Sequence, residues 1–273
     1  MIVAPLLAAV ALERISFWSD RAGDPDVFTM SVDGSDVRNL GTRDWGDKRA
    51  SWSPDGKQIA YDSWYVGHRE FDIWVMDADG GNKRQLTKSP LLDVQPAWSP
   101  DARWIAFTRR PTLPGREEIW VIRPDGSGER RVVRNAGSCA WSPDSRRLVY
   151  SRGGHLYTIG VDGRAPRRLT RSRSSDYATA GSWSPDGTRI LFTRYPIGGF
   201  GDVYVLQVRT GKVRRLTSGR ADDAEPSWSP DGRRIVFDAT RTGNRDVYVM
   251  NADGSGVRNI SRNPADDWAD TWR

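Results

Sequence analysis

Residues 228–261 read WSPDGRRIVFDATRTGNRDVYVMNADGSGVRNIS, and this stretch decides the fold. Apolar, β-branched and aromatic residues gather in the run up to Trp228, at Arg234 to Asp238, at Asp246 to Asn251 and at Val257 to Ser261, which predicts four strands. The connections agree. In Ser229-Pro230-Asp231-Gly232 the proline presets φ, the aspartate can bond its own backbone and the glycine accepts positive φ, and Asp253-Gly254 repeats the device. The unit reads as two linked hairpins, a four-stranded antiparallel meander.

The same unit recurs along the whole chain. The tryptophan of the WSP tripeptide stands at Trp52, Trp98, Trp141, Trp183 and Trp228, at spacings of 46, 43, 42 and 45 residues, and Trp272 follows 44 later. The second strand recurs six times, from Ile15-Ser16-Phe17 to Ile235-Val236-Phe237, and so does the third, as DVFTM from Asp26, DIWVM from Asp72, EIWVI from Glu118, HLYTI from His155, DVYVL from Asp202 and DVYVM from Asp246. The repeats begin on a second strand, at Arg14 to Ser19, and finish on a lone first strand, Ala269 to Arg273. Those two ends complement each other. A four-stranded repeat of about 40–45 residues is the size of a propeller blade, and closing the ring removes the open edge that a linear stack would cap. The pattern predicts an all-β, six-bladed β-propeller over residues 13–273, with the C-terminal strand completing the N-terminal blade.

WSPDG, an apolar second strand, a DIWVM-like third strand and an RRLT-like fourth together resemble the TolB-type propeller repeat, over nearly the entire chain. The resemblance implies the fold, but propellers of this type serve as protein-binding scaffolds, as peptidase lids and as lyases, so activity must be argued from the site. The TolB protein carries an α/β domain before its propeller; here about a dozen residues precede the first strand, and a single domain is expected.

Thirty-six arginines against five lysines give a net charge of +6 and a pI near 9.7. Such a balance can signal nucleic acid, yet the basic residues fall in pairs on fourth strands, Lys83-Arg84, Arg130-Arg131, Arg167-Arg168 and Arg214-Arg215, where charge guards a sheet edge. No nucleic-acid partner is expected. Cys139 is the only cysteine, so no disulfide forms within the chain; it reads as a small buried hydrophobe. Residues 2–12, IVAPLLAAVAL, read either as part of a signal peptide, which would make the protein periplasmic or secreted, or as a leader packing on blade one; a cytoplasmic chain stays open. The run is too short to span a bilayer. A monomer is expected.

The repeat tryptophans sit in fixed register and read as wedges between blades. Trp45, Trp64, Tyr65 and Trp268 occupy no repeat position and fall on the variable loops, where binding residues gather. With only His68 and His155, no G-x-S-x-G elbow, no P-loop and no spaced histidine pair, nucleophilic, nucleotide and zinc chemistry lack support. One column stands out, five residues before each repeat tryptophan: Asp47, Asp93, Ala136, Ala178, Asp223 and Asp267. Closure would bring the four aspartates round the channel mouth, with Gln95, Glu225 and Asp270 nearby. An oxygen-rich ring suits Ca²⁺ or a basic peptide segment; the competing account is that acids are common in any loop, or that arginines such as Arg49 neutralise them. The function expected is a non-catalytic scaffold for a protein or peptide. The alternative is a lyase or hydrolase acting on saccharides or peptides through channel carboxylates.

Overall fold

The computed structural model describes residues 13–41, 45–65, 70–110, 116–171 and 176–273; the expected leader lies outside them. Six four-stranded antiparallel sheets form a ring, and no helix occurs among the described residues. From the innermost strand outwards, blade two holds Trp45–Trp52, Gln58–Tyr65, Asp72–Asp77 and Arg84–Gln85. Blade three holds Leu92–Trp98, Ile105–Arg110, Glu118–Ile122 and Arg130–Arg134; blade four holds Gly137–Trp141, Arg147–Arg152, His155–Gly160 and Arg167–Arg168. Blade five holds Tyr177–Trp183, Arg189–Tyr195, Asp202–Gln207 and Val213–Arg215; blade six holds Asp223–Trp228, Arg234–Ala239, Asp246–Asn251 and Arg258–Asn259. Blade one joins both ends of the array: Asp267–Trp272 pairs with Arg14–Ser19, which pairs with Asp26–Ser31 and then Arg38–Asn39. The fourth strands are shorter than the sequence pattern predicts, several of them two residues long, because an outer edge gains ladder bonds on one side only.

The core lies between blades. Each apolar cluster takes residues from two neighbours, as where Val236, Val247 and Ile260 of blade six meet Ile15, Phe17 and Met30 of blade one. The repeat tryptophans are the wedges, all buried. Four of them are roofed by an arginine of the preceding blade, Arg147 over Trp183, Arg189 over Trp228, Arg234 over Trp272 and Arg273 over Trp52, at 4.4–5.3 Å from the ring centre. Hydroxyls next to the wedges stitch innermost strands together: the Trp98 amide donates to Ser51 and the Trp228 amide to Ser182, both at 2.9 Å.

Several fourth-strand arginines also cross seams. Arg84 donates to the Pro124 carbonyl, Arg130 to Val161, Arg214 to Asp253 and Arg258 to Val32. Their blade mates bond within the sheet, Arg131 with Glu118, Arg168 with His155 and Arg215 with Asp202. Much of the basic excess is therefore occupied as stitching between and within blades.

In each SPDG turn the serine hydroxyl donates to the aspartate two residues on, at 2.5–2.7 Å. The residue after that aspartate is left-handed throughout, with φ of 65° at Gly56, 68° at Gly187 and Gly232, and also 59° at Ala102 and 56° at Ser145. Ala102 thus keeps a Cβ in a conformation that penalises it. Ala102→Gly is expected to stabilise the protein by about 0.5–1 kcal/mol, because relief of that strain exceeds the added freedom of the unfolded chain; a denaturant melt in which the midpoint falls would contradict this.

Candidate functional site

The four aspartates expected at the channel mouth are not there. Asp47, Asp93 and Asp267 are fully buried and Asp223 is 1% exposed, and each meets a cation that lies across the aromatic residues of its own blade. Arg109 grips Asp93 with two bonds of 2.6 and 2.7 Å while its guanidinium sits 4.4 Å from the centre of Trp120. Arg241 holds Asp223 at 2.6 Å over Phe237 and Tyr248, and Arg21 holds Asp267 at 2.6 Å over Phe17 and Phe28. Lys83 reaches Asp47 at 3.2 Å across Tyr61, and Ser63 donates to the same carboxylate at 2.5 Å. Burial pushes the carboxyls of Asp47, Asp93 and Asp223 up, and these cations pull them back. Where the column holds alanine, Arg152 of blade four turns to the carbonyls of Arg134 and Asn135, and Arg194 of blade five to Asp176. The four aspartates form buried ion pairs, each inside its own blade, and among the described residues no group of three or more metal-ligating side chains comes together. Their cations come from the same chain, and Arg49 pairs with Asp62 rather than with any of the four.

What faces the channel is set by a bulge. In every blade the ladder between first and second strands shifts register at the same place, and in four blades a non-glycine residue there has φ between 43° and 57°: Arg49, Gln95, Ser138 and Glu225. A bulge re-aims a side chain, and all four line a central cavity of about 290 Å³ walled by the innermost strands. Gln95, Glu225 and Asp270 line this cavity together, with Arg49 and a half-buried Cys139 beside them. Burial pushes the Cys139 thiol up to about 12, so it is an inert part of the wall.

Asp62 lies behind Arg49, ion-paired at 3.1 Å. Glu225 opens to the channel but is ringed by protein, which pushes its carboxyl up against the pull of Arg49 and Arg245. The Asp270 carboxyl is held well above its ordinary range by burial and by Asp62 and Glu225, and one of its oxygens has no hydrogen-bond partner. Further out, Arg245 joins Asp222 at 2.5 Å and contacts the fully buried Asp238, whose carboxyl burial pushes up to about 7.

The aromatic side of the site is broader than the sequence suggested. Trp268 stacks on Trp18 with ring centres 3.7 Å apart and planes 1° from parallel, and both line the cavity. The Lys48 ammonium lies 4.8 Å from the Trp18 ring and 5.8 Å from Phe71, and Phe71 meets Trp64 at 6.4 Å. This row runs from the outer loop of blade two to the channel of blade one, and all five members are partly exposed. Trp45 and Tyr65 pair with each other across the blade-two ladder; their side chains lie outside the described residues. Trp18, Lys48 and Phe71 were missed, and Arg49 was named only as a neutralising partner for the aspartates. Trp18 had a signal: in the other blades its position holds Asp62, Thr108, Ser151, Thr193 and Asp238, so a tryptophan there breaks the repeat.

A family model described as the TolB beta propeller domain matches residues 12–139, 66–199 and 196–272. Over 120 residues the chain is 33% identical to a Tol-Pal system protein TolB of Francisella tularensis subsp. holarctica, a stretch that is 42% of this chain and 27% of that protein. TolB from Acinetobacter baumannii superposes with a TM-score of 0.79 at 25% identity, over 95% of this chain and 66% of the other. A putative TolB from Agrobacterium tumefaciens superposes at 0.71 and 19% identity, over 96% and 97% of the two chains, a likeness of fold. The match spans about a quarter of the length of the Francisella relative.

The buried ion pairs make a stability prediction. Asp93→Ala leaves Arg109 largely buried without its bidentate partner and should cost about 3 kcal/mol, read in a denaturant melt; a loss below a few tenths would show that Glu129, which Arg109 also binds at 2.6 Å, suffices. The fully buried carboxyls behind the channel make a second. A carboxyl whose folded pKa is raised holds its proton longer when folded, so its contribution is complete below about pH 4 and is lost as pH rises, through about 6 for Asp62 and about 7 for Asp238. The turn aspartates, lowered by their serine and backbone bonds, to about 2 at Asp186, act only at more acid pH. Thermal melts should therefore fall from pH 5 to pH 8, and less so in Asp238→Asn; equal slopes for both proteins would remove Asp238 from this account.

Proposed function

The chain belongs to the TolB beta propeller domain family, and we propose that it is a non-catalytic scaffold that binds a protein or peptide across its loop face. The observation that carries this reading is the row Trp64, Phe71, Lys48, Trp18 and Trp268 opening on the channel. Preset aromatic rings with an ammonium between them present large apolar area at little cost in side-chain freedom, the composition of a binding hot spot. The partner's segment enters the channel beside this row, where Glu225 and Asp270 receive its donors and Arg49 and Gln95 its carbonyls or carboxylates. A periplasmic or secreted setting goes with the proposal, supported by the apolar run at residues 2–12; no helix among the described residues is long and apolar enough to cross a membrane.

Glu225 and Asp270 also support the competing reading, because raised carboxyls facing a cavity are what a lyase or hydrolase would use for proton transfer. One experiment separates the two. A photo-crosslinking residue is placed at Lys48 on the loop face or at Arg103 on the opposite, turn face, in the host cell. The scaffold reading expects a discrete crosslinked protein from position 48, absent from position 103 and lost in Trp18→Ala/Trp268→Ala. No crosslink from position 48, together with turnover of oligosaccharides or peptides that Glu225→Gln abolishes, would replace the scaffold with the enzyme.

A further inference from the structure

Five large hydrophobic side chains stand out as exposed among the described residues, and three of them crowd the loop face of blade five: Ile197 at 78%, Phe200 at 54% and Tyr177 at 52%. Ile197 and Phe200 share one short loop between the second and third strands. That loop is built to project them. Pro196 and Gly199 close a tight turn, with the Gly199 amide donating to the Pro196 carbonyl at 3.1 Å and Gly198 at φ 67°. Its base is pinned to the next blade: the Gly201 amide donates to Asp222 at 2.9 Å and the Asp223 amide to the Gly201 carbonyl at 2.9 Å. A Cβ on Gly201 would stand 2.6 Å from the Tyr195 ring, so the base admits no side chain. The two apolar groups are therefore held outward by a constrained turn, at positions where turns ordinarily place polar residues.

We propose that this tip inserts into the surface of an anionic lipid bilayer. The tip projects into solvent and lines neither the central cavity nor the groove of Arg189, Lys212 and Arg214, so its receiver must be deformable or carry a pocket of its own. The surrounding charge favours the lipid. Arg171 and Arg220, on the connections that flank blade five on the same face, are exposed and have no ion pair or hydrogen bond among the described residues. Two exposed arginines without a protein partner, on the connections either side of an apolar tip, match a layer of anionic headgroups above acyl chains. The inference goes beyond the scaffold reading and uses none of its residues.

Co-sedimentation of the full chain with phosphatidylcholine vesicles, with and without phosphatidylglycerol, tests it. Wild-type protein should bind the phosphatidylglycerol vesicles, and Ile197→Ser/Phe200→Ser should weaken that binding about tenfold with an unchanged thermal melt. Arg171→Gln/Arg220→Gln should weaken it too and reduce its sensitivity to salt. Trp18→Ala/Trp268→Ala should bind vesicles as the wild type does, which keeps this outcome separate from that of the scaffold. Absence of vesicle binding at low salt, or equal binding by the Ile197/Phe200 variant, overturns the proposal; loss of a crosslinked protein partner in that variant without any vesicle effect would reassign the tip to a protein pocket.

Discussion

The wedge between blades carries this fold. A four-stranded blade has two apolar faces and cannot bury either alone, so the ring holds only where each repeat tryptophan fills a seam. The arginine roof is the less obvious half of that contact. A guanidinium over an indole covers the end of the core with a group that still meets water, which is why a chain so rich in arginine and so poor in lysine can tile a surface without shedding its seams. The same residue type recurs inside the blades, where a cation rests on the aromatic residues and closes on a buried aspartate. The +6 charge is thus largely a packing material.

The ring was legible because its evidence is periodic. Trp272 at one further repeat and Ile15 to Phe17 as an orphan second strand force closure, and the ladder between Arg14–Ser19 and Asp267–Trp272 is that closure. The site was legible only in part, and the reason is geometric. A column of aspartates five residues before each tryptophan looks like a ring of ligands if the strand alternates regularly up to the wedge. The bulge breaks the alternation, so the residues two places later, Arg49, Gln95 and Glu225, take the channel while Asp47, Asp93 and Asp223 stay buried within their blades. Nor does any fixed spacing lead from those aspartates to their cations: Arg109 comes from a second strand, Lys83 from the approach to a fourth, Arg21 and Arg241 from the ends of second strands. A column repeated in a propeller states what every seam needs, and function is better sought where a column is broken, as Trp18 breaks its own.

The working face combines two chemistries that rarely share a wall. Four bulge residues hold left-handed backbone without being glycine, strain that the surrounding ladders sustain and that active and binding sites often store. Because the bulge fixes direction and leaves identity free, the channel can be relined at those positions without touching a wedge or the ion pairs of the four aspartates. The aromatic row is different: it spans two blades, so any change in how blades one and two meet would alter it.

That junction is also where the array is fastened. Arg14 and Arg273 exchange backbone bonds at one end of the closing ladder, the amide of each donating to the carbonyl of the other at 3.2 and 2.8 Å. The two strands run antiparallel, so a force drawing residues 14 and 273 apart meets the ladder at its open end and loads one pair of bonds at a time, as in unzipping, whereas the other five blades are loaded only after the seam has parted. The propeller is in this sense a belt with its buckle on blade one, and the Trp18–Trp268 stack, whose members sit opposite each other near the far end of the two buckle strands, is reached only after the pairs at Ile15 and Phe17 have parted.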